Sequence, residues 1–575
     1  MGRQSCFVPF LHVLIITLAC SSSLIHAKVV EHTFHVGNMT TRKMCQQRTI
    51  IAVNGSLPGP TILVNEGDTL IVHVLNKSPY DVTIHWHGIF QLFSGWADGP
   101  EFATQCPIKP GNKYTYKFKV TKQEGTLWWH AHTSYMRATV YGALIIRPRL
   151  GRKYPFPKPY REVPIMIGEW WNANVMDVEQ IGMTTGGVPN ISDAYSINGR
   201  LGDLYPCSKK HTYKLKVTPG KIYLLRIINA ALNAQHFFKI ANHKFVVVAI
   251  DASYTEPYHT DVVVIAPGQT VDVLMETNQP MADYYMAARP YNSAAIAGPF
   301  NDDTTTTGIV HYIGGAAKNS TPKMPVLPAL NDTVTAHKFY TNLTGLTTGR
   351  FSVPVPRHPD EKMFITFGLG LSVCGTPNGC INSPFGPMIT FSASMNNHSF
   401  QFPTSTSLLE AFAKGVKGVY TEDFPDHPPL KFDYTKANLS SSLWMAEKST
   451  RVKKVKFNSI VEIVLQNTAL LTPESHPMHL HGFNFHVLAQ GFGNYNSKRD
   501  RKKFNFFNPQ ERNTIAVPTG GWAVIRFRAN NPGVWMMHCH LDVHMPLGLA
   551  MAFVVENGPT LSTRLPPPPA DLPRC

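Results

Sequence analysis

Helical periodicity is scarce in this chain of 575 residues, and beyond its N-terminus no apolar run is long enough to cross a bilayer. Those absences exclude a helical bundle and a multispanning membrane protein. Charge is sparse as well. Only 16% of residues are charged against 43% hydrophobic, a balance that suits a globular chain and not a solvated polyelectrolyte. What replaces helix signals is punctuation: 45 prolines and 41 glycines favour short strands and turns. The length allows roughly three or four domains with ample core.

The N-terminus reads as a secretory leader. Arg3 supplies a positive start, an apolar run extends from Cys6 to Cys20, and small residues end it near Ala27. Cleavage there would begin the mature chain at Lys28, placing the protein outside the cell. Asn-x-Ser/Thr triplets at Asn38, Asn54, Asn76, Asn190, Asn319, Asn331, Asn342, Asn397 and Asn438 agree with export as a glycoprotein. Losing Cys6 and Cys20 leaves Cys45, Cys106, Cys207, Cys374, Cys380, Cys539 and Cys575. An oxidising compartment pairs six and spares one, and the spared one is Cys539, flanked by histidines. Spacing leaves the pairing open, although Cys374 and Cys380 are near enough for a local loop. The formal net charge is +16, with basic clusters at Arg451–Lys456 and Lys498–Lys503. Secretion argues against nucleic acid. An acidic extracellular polysaccharide is a possible neighbour, and two solvated loops are the plainer reading.

Four His-x-His pairs stand out: His85/His87, His130/His132, His479/His481 and His538/His540. Chance gives about one such pair from a histidine content this size. A strand turns residues i and i+2 to one face and i+1 to the other. His538-Cys539-His540 therefore aims two imidazoles at one centre and a thiolate at another behind it. Copper bound to a thiolate needs two imidazoles in a trigonal set, which His476, Cys539 and His544 can supply. The other eight histidines, free of carboxylates, suit a cluster of several copper ions. Zinc fits poorly, since its sites take three or four ligands.

The first and last thirds echo each other. HWHG at 85–88 parallels HLHG at 479–482, and GTLWWHAH at 125–132 parallels GVWMMHCH at 533–540. The middle third has Val/Ile-rich strands such as 222–228, 245–250 and 271–275 without the ligands, as a copy that lost its metal would. The expected organisation is a leader at 1–27, a first domain at 28–150, a metal-free second at 151–314, a Pro/Thr-rich linker at 315–397 and a third at 398–575. Each domain is expected to be an antiparallel Greek-key β-sandwich. One short helix is expected over Ser407–Lys414.

HWHG, HAH, HPMHLHG and HCHLDVHMPLGL, together with NGSLPGPTI and HWHGIFQLFSGWADGP, resemble the copper signatures of multicopper oxidases, and of plant laccases in particular. The resemblance spans the mature chain and implies an all-β protein of three cupredoxin-like domains. It implies four copper ions: type 1 on His476, Cys539 and His544; type 2 on His85 and His479; and a type 3 pair on His87, His130 and His540 and on His132, His481 and His538. It also implies disulfides Cys45–Cys207, Cys106–Cys575 and Cys374–Cys380. The axial position of type 1 copper would fall on Leu549, which cannot donate, so the potential should be high. Methionine there would point to ascorbate oxidation instead.

The implied activity is that of a secreted, monomeric laccase. It would take single electrons from phenols, such as monolignols and other p-diphenols, and reduce O2 to water, in lignin or phenolic polymerisation or turnover. Asp98 and Asp542 are candidate proton relays, and Glu474 a candidate acceptor of the phenol proton. The competing readings are a ferroxidase-like metal oxidase, which needs acids beside His476 or His544, and a copper-free wall-binding relative.

Overall fold

Three pairs of sheets follow one another along the chain in the computed structural model, which describes residues 27–293, 302–314, 321–348, 354–374, 380 and 383–575. The leader before Ala27, with Cys6 and Cys20, and the Asn319 triplet lie outside the described residues. In the first pair, a sheet of Gln46–Val53, Val29–Lys43, Thr69–Asn76 and Lys113–Lys119 packs on one of Ile62–Asn65, Tyr141–Arg147, Gly125–Ala131 and Ile84–His87. Strand period produces the core between them. Tyr114, Tyr116 and Phe118 alternate with exposed lysines and meet Ile62, Leu127 and Leu144 from the facing sheet. The second pair has six and five strands, the third eight and five, each with its own apolar core. The fold is thus three successive all-β sandwiches.

The sheets are mixed, not purely antiparallel. Val29–Lys43 runs parallel to Thr69–Asn76, Tyr223–Asn229 to Arg161–Ile167, and Glu361–Phe367 to Val461–Asn467. The chain leaves one sheet for its partner before returning, as at Ile62–Asn65, and such a crossover returns the strand in the same direction.

The stretch 315–397, expected as a linker, differs most from expectation. It holds the helix Thr333–Asn342 and the strands Glu361–Val373 and Ile389–Met395, and both strands lie in the eight-stranded sheet of the third sandwich. Gly368 and Gly370 make the run look interrupted, yet they serve packing. A Cβ on Gly370 would sit 2.6 Å from the Trp444 carbonyl oxygen. The short helix is Leu408–Lys414. Ser407 caps it by accepting from Glu410 N at 3.2 Å, and Gly415 ends it in the left-handed region.

Disulfides join Cys45 to Cys207, Cys106 to Cys575 and Cys374 to Cys380. The first ties sandwich one to two, and the second ties the C-terminus back to sandwich one. Among the described residues no helix is long and apolar enough to cross a membrane.

Candidate metal centre

Four short strands carry the histidine pairs, and hydrogen-bond register brings them together. His85 lies opposite His130 in the first sandwich, and His479 opposite His538 in the third. The alternation that turns His85 and His87 one way turns Trp86 the other, where it pairs with Trp129 in the core. The two histidine faces abut across the boundary between sandwiches. His85 and His481 ring centroids are 4.1 Å apart, His87 and His479 3.8 Å, His130 and His540 5.4 Å, and His132 and His538 5.4 Å. All eight are buried. Donor atoms of His85, His479 and His481, of His85, His87 and His130, and of His132, His481 and His538 lie within 4.8 Å of one another in each group.

Hydrogen bonds fix which nitrogen faces inward. The Nδ1 atoms of His85, His130 and His479 meet the carbonyls of Asp98, Ala131 and Asn513 at 2.7, 2.8 and 2.9 Å. Their Nε2 atoms are buried without a partner. His87 is reversed: Nε2 meets Asn513 Oδ1 and Thr514 Oγ1, both at 3.1 Å, and Nδ1 is the orphan. His540 Nδ1 is orphaned too, and the Nε2 atoms of His481 and His538 face each other at 3.0 Å. Buried imidazole nitrogens rarely lack partners, and convergent orphan lone pairs fit metal ions. Burial, reinforced by neighbouring imidazoles or the Arg137 cation, holds His87, His130, His132, His479, His481 and His540 well below the usual imidazole range. It pushes His538 down to about 4. Burial thus favours the neutral form of these seven rings, the form that binds metal.

Behind this cluster, Cys539 Sγ lies 3.4 Å from His544 Nδ1 and 3.6 Å from His476 Nδ1, with His476 Nε2 orphaned. Cys539 is the free cysteine among the described residues, and burial pushes its thiol far up. Such a sulfur ionises only when a cation takes the place of its proton. Burial pushes His476 down to about 3. A soft thiolate with two imidazoles fits copper. Leu549 is fully buried in the same apolar cluster, and its carbonyl accepts from Cys539 N at 3.0 Å.

The three acids have distinct surroundings. Asp98 is fully buried, and its Oδ2 accepts from His481 Nδ1 at 2.9 Å while Oδ1 lies 3.4 Å from His85 Nδ1. Asp542 is paired with Arg137 at 2.7 Å, and burial raises its carboxyl despite that cation. Glu474 Oε1 lies 3.1 Å from His544 Nε2. Burial pushes Glu474 up, but the His544 and His476 rings bring it below its ordinary value. Among the tryptophans next to the histidine motifs in sequence, Trp128 packs on the ligands, 4.4 Å from His130 between centroids. Trp86 and Trp129 fill the first core and Trp535 the third.

Sequence reasoning missed Arg137, Asn513 and Thr514. Arg137 is buried and also donates to the carbonyls of Ala231, Leu232 and His540, so one guanidinium touches all three sandwiches. Asn513 and Thr514 hold His87 and His479. None sits in a histidine motif, and nothing in local spacing announces a partner hundreds of residues away.

Three multicopper oxidase family models match residues 35–151, 161–315 and 423–559. Laccase-7 of Arabidopsis thaliana is 60% identical, covering 97% of this chain and 98% of its own. Laccase-24 of Oryza sativa subsp. japonica is 56% identical, covering 97% and 98%. The crystal structure of a laccase from Botrytis aclada superposes with a TM-score of 0.70 at 26% identity, covering 94% of this chain and 89% of that one.

Proposed function

The chain belongs to the multicopper oxidase family and functions as a copper-dependent laccase, and from that premise we propose how its side chains hold the metal and divide the work. His476, Cys539 and His544 hold one copper. The eight paired histidines hold three: His85 and His479 the type 2 ion, His87, His130 and His540 one type 3 ion, and His132, His481 and His538 the other. Bound copper supplies one-electron acceptance at the thiolate centre and four-electron reduction of O2 to two waters at the cluster. One observation carries this reading: the thiolate donor Cys539 sits one residue from cluster-facing histidines on both sides, so a covalent path of minimal length joins the two donor sets.

The chain's own groups then have definable tasks. Carbonyls and Asp98 fix the tautomers of the cluster histidines, and the tryptophans and apolar cores keep bulk water out. Asp98 is the carboxylate in contact with the cluster histidines and is placed to hold a proton that O2 reduction consumes. Asp542 is engaged by Arg137 and acts with it. Glu474 orients His544 through Oε1, leaving its other oxygen to accept the proton of a phenol arriving at His544.

The metal-oxidase alternative is disfavoured by the same contacts. It needs several free acids beside His476 or His544, and Asp542 is committed to Arg137, which leaves one oxygen of Glu474 alone. Monolignols and other p-diphenols are the proposed substrate class, in lignin or phenolic polymerisation or turnover outside the cell, by a monomer. An acidic wall polysaccharide has less to grip than net charge implies, because Arg451, Lys453 and Lys454 face Asp423, Asp426 and Glu422. Copper analysis and an absorption band near about 600 nm test the metal reading, the band reporting copper–thiolate bonding. kcat/KM for a methoxyphenol, Fe(II) and ascorbate tests the substrate. Preference for Fe(II) would sink the phenol reading.

A further inference from the structure

The second sandwich contributes none of the eleven donors, yet it touches the histidine cluster directly. Its turn at 266–269 points Gly268 at the rings. A Cβ there would lie 2.9 Å from His540 Cγ and 3.0 Å from His87 Cε1, at a backbone φ of +88°. Only glycine tolerates both the angle and the approach. The turn is rigid: Gly268 N donates to the Asn229 carbonyl at 3.0 Å, Ala266 N to Gln269 Oε1 at 3.0 Å, and the Gly268 carbonyl accepts from Trp128 Nε1 at 3.3 Å.

A second contact acts through the third sandwich. Asp251 is buried, and its Oδ1 accepts from Thr270 N at 2.9 Å. Its Oδ2 accepts from Arg512 Nε at 3.1 Å and Thr514 N at 3.3 Å. Gln269 Nε2 donates to the Thr514 carbonyl at 3.1 Å. Thr514 is thus held at both its N–H and its carbonyl by the second sandwich. Its hydroxyl meets His87 Nε2 and His479 Nδ1 and donates to Asn513 Oδ1, the other partner of His87.

We propose that Gly268, Asp251 and Gln269 of the second sandwich are positioning residues for the copper cluster: Gly268 walls in His87 and His540, and Asp251 with Gln269 fixes the Asn513–Thr514 segment that sets the tautomers of His87 and His479. His476, Cys539 and His544 all stand on the third sandwich, and the second reaches their segments through other residues, Gln235 Nε2 donating to the Ser475 carbonyl at 3.1 Å and Asn233 Oδ1 accepting from Val543 N at 3.0 Å; none of the contacts of Gly268, Asp251 and Gln269 given above falls on these three donors.

This rests on the copper assignment above, and the unmodified protein's own signals test that assignment separately. Two variants test the inference, Gly268→Ala and the nearly isosteric Asp251→Asn, each loaded with copper. Electron paramagnetic resonance distinguishes thiolate-bound copper from copper held by nitrogen alone. The expected result is a retained blue band and retained anaerobic bleaching by a phenol. The nitrogen-bound signal should be altered or lost, copper per chain reduced, and O2 turnover lowered by about 10- to 100-fold, as for other groups that orient metal ligands. Gln269→Glu, which keeps the side chain's shape, separates a loss of orientation from a loss of packing, and should shift the nitrogen-bound signal without moving the blue band. An unchanged nitrogen-bound signal in Gly268→Ala and Asp251→Asn, or parallel loss of the blue band in both, would overturn the proposal.

Discussion

Cys539 is placed for chemistry that no other cysteine among the described residues is free to do. Its sulfur faces His476 and His544, and its neighbours on both sides face the cluster. Cys539→Ser keeps the volume but removes the soft donor, so the blue band and phenol turnover should both vanish on an otherwise folded protein; persistence of either breaks the thiolate assignment. Leu549 acts by what it cannot do. Fully buried beside Cys539, it excludes water and donates nothing. Leu549→Met would place a weak donor in that space, stabilise Cu(II) and lower the potential of the thiolate centre, which a redox titration reads directly. A value unchanged or raised would show that axial donation is not the lever. At this scale the sequence was informative about donors, because histidine and cysteine announce themselves by type. It was silent about Arg137, Asn513, Thr514 and Asp251, whose roles depend on contacts across domains.

Strands translate residue order into two-sided surfaces. In Ile84–His87 the same alternation that presents His85 and His87 to the cluster drives Trp86 into the core, against Trp129, Tyr116 and Phe118. Trp86→Ala should therefore cost about 3–5 kcal/mol of stability, as large-to-small core changes do. Reconstituted copper should still give both signals. Loss of the cluster signal with little loss of stability would show that Trp86 belongs to the site and not to the core. Elements of this kind were legible. The strands read at 222–228, 245–250 and 271–275 appear as Ile222–Asn229, Phe245–Ile250 and Thr270–Glu276, because alternating or continuous Val/Ile runs bounded by turns have few other solutions. Glu361–Val373 was not legible as a strand of the third sandwich. Two glycines and a proline-rich flank look like a linker when the close approach of Trp444 and Thr468 is unseen.

At the scale of the molecule, three sandwiches close around buried titratable groups, which makes folding depend on pH from both sides. Two groups in the second sandwich, neither of them among the eleven donors, show the opposing signs. Burial pushes His236 down to about 3 from 6.5. Between those values the unfolded chain carries a proton that the folded one refuses. Its contribution is therefore complete above pH 6.5 and is lost as pH falls toward 3. Burial pushes Glu169 up to about 7 from 4.5, against the Leu232 and Asn233 N–H groups that favour its charged form. Here the folded chain keeps the proton longer, so the contribution is complete below pH 4.5 and is lost as pH rises through 7. For the metal-free protein, where copper adds no proton release of its own, urea midpoints should decline on both sides of a mildly acidic maximum. His236→Phe, which preserves an aromatic ring against Tyr195, should make the acid limb shallower without moving the neutral one, and Glu169→Gln the reverse; the buried cluster histidines carry the rest of the acid limb. If each substitution merely lowers the whole profile in parallel, these two groups are not what couples this fold to pH, and the acid limb belongs to the cluster histidines.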